Sequence, residues 1–279
     1  MDESLAALLA WYADMGVGIA VDDAPHDRFA EASSGAPVNP HRAGATPRET
    51  SGPGSRALAA AAAATPDAIE ANARDSAAAA KNLDELRDRL ARFEGCGLKT
   101  TATQLVFGDG NPLAKIMFIG EAPGADEDRQ GVPFVGRAGR LLDKMLGSIG
   151  LDRTKVYIAN IVPWRPPGNR TPTPIEITAC LPFIRRQIEL VDPEVVVCLG
   201  AASAQTLLGG KDGIMRMRGR WLVYPTAKQE IRALAMLHPA YLLRQPAQKK
   251  LAWQDLRLLA KELISLGLCS KVNCEKDRT

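Results

Sequence analysis

Apolar positions between residues 116 and 243 fall in short unbroken runs, each ending abruptly in glycine or polar side chains. The runs are 116–119 (IMFI), 156–160 (VYIAN), 194–199 (EVVVCL) and the opening of ALAMLHPAYLLR. Runs of this length without alternation read as strands buried on both faces, as in a parallel sheet. A shorter strand is expected at QLVFG, residues 104–108. After the first run, GRLLDKML has the spacing of an amphipathic helix. Strand, loop and helix then repeat, which predicts an α/β fold: a three-layer α/β/α sandwich with a mainly parallel central sheet.

Upstream the pattern changes. Residues 67–95 read as a helix leading into the domain, with Pro66 at its start, many alanines, and Leu83, Leu86 and Leu90 at helical spacing. Residues 22–66 are rich in Ala, Gly, Pro and Ser with few large apolar side chains, as expected of a flexible linker. Residues 1–21 carry an apolar stripe that suits an amphipathic helix. The stripe lacks a basic leading segment and is broken by Asp14, so it fits a secretory signal poorly. The domain itself is placed at 96–266, and 267–279 form a polar tail.

Composition adds limits. No apolar run reaches the roughly 18 residues of a membrane span. The net charge of +3 is too small to identify a partner. Its distribution is more useful: Arg165, Arg170, Arg216, Arg218, Arg220, Arg244, Lys249 and Lys250 fall in or near loops after strands, where a phosphate backbone could lie. Five cysteines without a framework of spacings suit a reducing cytoplasm.

Polar residues at the carboxyl ends of parallel strands converge on one crevice. Here the first exit carries Gly120, Glu121, Gly124, Asp126, Glu127 and Asp128; the second carries Asn160, then Arg165, Asn169 and Arg170; the last carries His238. Carboxylates, an amide, an imidazole and arginines should therefore meet.

Three segments, GEAPGADEDRQGVPFVGRAGRLLD, NIVPWRPPGNRTPTP and HPAYLLR, together resemble the family 4 uracil-DNA glycosylases. That resemblance implies hydrolysis of the N-glycosidic bond of deoxyuridine in DNA, single- or double-stranded, by base flipping in DNA repair. The chain is expected to work as a monomer. Asn160 then reads the uracil edge, Phe134 stacks on the ring, Ala122 lies against the base, and His238 donates to the charge developing on O2. Glu121 and Glu127 are both candidates for holding the attacking water. Asn169, Arg170, Tyr241, Leu242, Leu243 and Arg244 are candidates for contacting DNA. The alternative is a non-catalytic module of the same fold that binds uracil or abasic DNA.

The resemblance also implies four cysteines holding a 4Fe-4S cluster. Cys96 and Cys180 match two of those positions, but Phe93 and Trp164 occupy the others. On this ligand count the cluster is expected to be absent, leaving no metal and no cofactor. Cys198 reads as a buried small hydrophobe, while Cys269 and Cys274 sit in the tail.

Overall fold

The computed structural model describes residues 65–268. All of them lie in the second of the two units into which the chain divides, Ala59–Thr279. The helix expected over 1–21, nearly all of the linker expected over 22–66, and the tail from 269 onward lie outside the described residues.

Two helices, not one, precede the sheet: α1 (Pro66–Ala78) and α2 (Leu83–Arg92). Thr65 caps α1 with its side chain, so the last two positions assigned to the linker belong to this helix start. The break falls at Asn82, whose Oδ1 accepts the Glu85 N–H at 2.8 Å while the Glu85 carboxylate accepts the Lys81 N–H at 3.0 Å. That reciprocal cap starts a new helix inside the span expected to be continuous.

The sheet has six strands in the order β1-β3-β2-β4-β6-β5. They are β1 (Asp109–Gly110), β2 (Ile116–Gly120), β3 (Tyr157–Asn160), β4 (Val195–Leu199), β5 (Trp221–Pro225) and β6 (Glu230–Met236). β3, β2, β4 and β6 are mutually parallel, while β1 and β5 pair antiparallel at the two edges. The strand expected at QLVFG does not form. Val106 instead donates one hydrogen bond to the Pro163 carbonyl, and the edge pairing begins at Asp109. A single apolar triplet can pack against a loop without entering a ladder.

The remaining helices are α3 (Ala125–Gln130), α4 (Arg137–Ser148), α5 (Pro174–Val191), α6 (Ala201–Leu208), α7 (Ile214–Met217), α8 (Pro239–Arg244) and α9 (Lys249–Ser265). Strand side chains alternate between two cores. Met117, Ile119, Ala159, Val196, Cys198 and Ala233 face a layer that includes α1, α2 and α5. Ile116, Phe118, Ile158, Val197, Leu234 and Met236 face α4 and α9. The sandwich therefore has three layers, and the four parallel strands end along one edge with Gly120 registered against Asn160 and Leu199 against Met236.

Candidate active site

That edge opens into a crevice of about 770 Å³ lined by Glu121, Ala122, Phe134, Asn160, Asn169, Arg170, His238, Tyr241 and Arg244, among others. Each side chain arrives there for a local reason.

Asn160 ends β3, is 5% exposed, and its Oδ1 has no protein partner. The floor beside it is Gly120. A Cβ at that position would lie 2.4 Å from Asn160 Oδ1 and 2.7 Å from Phe134 Cζ, so only glycine leaves room for both. Phe134 is a non-glycine residue in left-handed backbone, φ 55°, a conformation that costs about 1–3 kcal/mol. It is held there by tight packing: a Cβ at Gly139, in the first turn of α4, would sit 1.6 Å from the Phe134 carbonyl oxygen. The Phe134 ring lies 5.6 Å from the His238 ring, centroid to centroid.

His238 caps α8, and its Nδ1 accepts the Ala240 N–H at 3.1 Å. In a neutral imidazole the proton then belongs to Nε2, a free donor. Burial, helped by the Arg244 charge, lowers the His238 pKa to about 4, so the ring is neutral at physiological pH.

The two candidate glutamates separate cleanly. Both Glu127 oxygens are occupied: Oε2 accepts the Gly124 N–H at 3.1 Å, and Oε1 accepts those of Val135 at 3.0 Å and Gly136 at 2.9 Å. It clamps the loop after β2 to the loop that carries Phe134. Glu121 has Oε1 buried with no partner, and burial raises its pKa above the ordinary carboxylate range. Asp126 pairs with Arg129 at the surface, whereas Asp128 is buried and accepts from Thr103 and Gln104.

The candidate DNA contacts divide as well. Arg170 forms a two-pronged pair with Glu176, at 2.6 and 2.8 Å, and holds that carboxyl down at about 2. Arg165 donates to Asn169 Oδ1 at 2.7 Å across the turn, with Gly168 and Asn169 both at positive φ. Tyr241 and Arg244 line the crevice, and Leu243 is half-buried beside them. Leu242 must be withdrawn as a DNA contact: it is 1% exposed and packs in the core beneath α8, because the one-turn helix points it inward. Arg218 is also unavailable to phosphate, being committed to the buried Asp255 carboxylate at 2.6 and 2.9 Å.

Two contributors were missed by sequence reasoning. The exit of β4 supplies Leu199, Gly200 and Ala201 to the wall. The strand-exit rule applied to EVVVCLG would have found them. Arg153, whose guanidinium donates to the Phe134 carbonyl, had no local signal.

Of the cluster-position residues, Phe93, Cys96, Trp164 and Cys180 are all buried in one core, with Phe93 and Phe183 rings 5.1 Å apart. Cys198, as expected, is a fully buried hydrophobe whose thiol burial pushes up to about 12.

Residues 107–257 match the family model of the uracil DNA glycosylase superfamily. A type-4 uracil-DNA glycosylase from Archaeoglobus fulgidus is 39% identical over 195 residues, covering 68% of this chain and 95% of the relative. One from Thermotoga maritima is 42% identical over 163 residues, covering 58% and 83% respectively. One from Sulfurisphaera tokodaii is 38% identical over 189 residues, covering 66% and 86%.

These relatives correct the expectation that no cofactor is present. They are type-4 enzymes, the same class to which the resemblance attaches a 4Fe-4S cluster, and that overturns an absence argued from two missing thiols. The earlier expectation rested on ligand count alone. Among the described residues no three or more His, Cys, Asp or Glu gather as a metal-binding group, so the thiols of Cys96 and Cys180 are the part of the family's ligand set that this geometry offers. No step of the reaction is routed through them. Fold, crevice and relatives converge: the chain belongs to the uracil-DNA glycosylase superfamily.

Proposed function

We propose that this uracil-DNA glycosylase, acting as a monomer, hydrolyses the deoxyuridine N-glycosidic bond after the base has flipped out of single- or double-stranded DNA into the crevice. A stacked base is out of reach of Asn160, so extrusion is the only route to it. The observation that carries the reading is a pair of orphans. Among the described residues, the buried side-chain polar atoms without a protein partner are Glu121 Oε1 and Asn160 Oδ1, and both residues line the same crevice. Buried polar atoms left unpaired are costly, about 1–3 kcal/mol each, and substrate is the missing partner that explains them.

Asn160 Oδ1 accepts N3–H of uracil while its amide N–H donates to O4. Cytosine reverses both polarities and is refused. Phe134 stacks on the ring, with Ala122 against its edge. As the bond to C1′ breaks, the electron pair leaves with uracil, and the His238 Nε2–H stabilises the charge gathering at O2 without transferring its proton. Glu121 orients the water that adds to C1′ and offsets the positive charge on the sugar; the water proton passes to Glu121 and on to solvent. Glu127 serves indirectly by holding the two loops. Arg244 and Tyr241 meet the strand at the rim.

The test is single-turnover cleavage of uracil- and cytosine-containing oligonucleotides by wild type and Asn160→Ala. The proposal expects uracil cleavage to fall by about 10²-fold or more, as when a pocket donor or acceptor is lost. Wild-type cleavage in the variant would show that the base is read elsewhere.

A further inference from the structure

We infer that Arg153 is a positioning residue for the uracil platform, acting on the flipped base through Phe134. The inference rests on the reading of Phe134 as that platform. Arg153 lies in the loop between α4 and β3, and its side chain is 25% exposed. Its guanidinium joins four groups from three parts of the chain. Nε donates to Asp143 Oδ1 on α4 at 2.8 Å, Nη1 to Asp109 Oδ2 on β1 at 2.6 Å and to the Pro133 carbonyl at 3.1 Å, and Nη2 to the Phe134 carbonyl.

Three features make these bonds more than surface decoration. Phe134 is one of three non-glycine residues with positive φ among those described, so its backbone needs outside support to stay where it is. Its carbonyl accepts from the guanidinium and lies so close to Gly139 that a Cβ there would meet the oxygen at 1.6 Å. Its ring is the part of the loop that enters the crevice, beside His238 and over Gly120. A planar fork that grips two successive carbonyls fixes the two peptide planes that flank the Phe134 Cα, and those planes together aim the ring. Lysine keeps the charge but offers no fork. Asp109 and Asp143 in turn fix the guanidinium, so the platform is referenced to the sheet edge and to α4 rather than to its own loop.

The experiment is calorimetric titration of the full chain with free uracil, for wild type, Arg153→Lys, Arg153→Met, Phe134→Ala and the Arg153→Lys/Phe134→Ala double variant, with thermal melting of each. Arg153→Lys retains a cation between the two carboxylates and keeps the test open if Arg153→Met does not fold. The expected result is a Kd for uracil about tenfold weaker in both Arg153→Lys and Phe134→Ala, with the double variant within about twofold of Phe134→Ala alone. Losses that multiply in the double variant overturn the inference, since the effect then bypasses the ring, and so does an unchanged Kd in Arg153→Lys. An unchanged Kd in Phe134→Ala removes the platform itself, and both the reading and the inference with it.

Discussion

Replacing Gly120 with alanine adds one methyl group to the crevice floor without disturbing the strand, because β2 is a regular buried element whose Gly120 is not at positive φ. The new Cβ would stand 2.4 Å from Asn160 Oδ1 and 2.7 and 2.9 Å from two Phe134 ring carbons. Ordinary contact begins near 3.4 Å, so the amide must retreat by about 1 Å and the ring by about 0.5–0.7 Å. Neither can make room except by turning its side chain into the crevice that takes the base, because the Phe134 backbone is pinned by Gly139 and Arg153 and Asn160 is in the sheet register. Overpacking of this size costs about 1–3 kcal/mol of stability. For a domain of this size that is a melting shift of about 2–12 °C. The catalytic cost is larger in proportion, since a displacement of about 1 Å in a positioning group is worth about 10²-fold in rate. The assay is single-turnover cleavage with enzyme in excess, paired with thermal melting. A Gly120→Ala protein that cleaves within about threefold of wild type would refute the reasoning, because the methyl group cannot coexist with a base read by Asn160 and stacked on Phe134.

Three further outcomes follow from the glutamates. With Glu121 proposed to hold the water as a carboxylate, cleavage should fall as pH drops through its raised pKa, whereas His238, neutral down to about 4, sets no limb above that value; Glu121→Gln should abolish the upper acid limb and lower the rate by about 10²-fold. The same raised pKa means that the stability Glu121 contributes when protonated is lost as pH rises through it, so Glu121→Gln should melt higher than wild type at pH 7, and a lower melting point there would contradict the assignment of an unpaired carboxylate. Glu127→Gln turns one acceptor oxygen into a donor facing a backbone N–H, which should cost about 1–3 kcal/mol in denaturant unfolding; an unchanged midpoint would mean that the loop clamp contributes nothing.

Much of this site was legible in the chain because its parts sit where buried strands stop. Asn160 and His238 could be placed at strand exits from apolar runs alone, and Glu121 by the same rule. The three segments shared with family 4 enzymes then gave roles to these positions and to Phe134. What remained hidden depends on contacts remote in sequence. Glu121 and Glu127 are six residues apart, one in the loop after β2 and one on α3, and only the N–H groups of Gly124, Val135 and Gly136 distinguish a clamp from a free carboxylate. Leu242 and Leu243 are adjacent, and the turn of α8 alone decides which is buried. Arg153 stands 19 residues from the carbonyl it grips. The split between α1 and α2 was readable from Asn82 and Glu85 but was masked by the alanine-rich pattern around it. The cysteine count misled about the cofactor, because absent matches at two positions do not outweigh membership of a class that carries a cluster.

The central claim is that a neutral His238, fixed by the Ala240 N–H, supplies the hydrogen bond that lets uracil leave. Single-turnover cleavage of a uracil-containing oligonucleotide by wild type and His238→Ala at pH 7 tests it most directly. Wild type should cleave efficiently and the variant should lose about 10²-fold or more, with a flat pH profile for wild type between the Glu121 limb and neutrality. Wild-type protein that leaves the uracil in place, or a His238→Ala variant that cleaves within about fivefold of wild type, would contradict it.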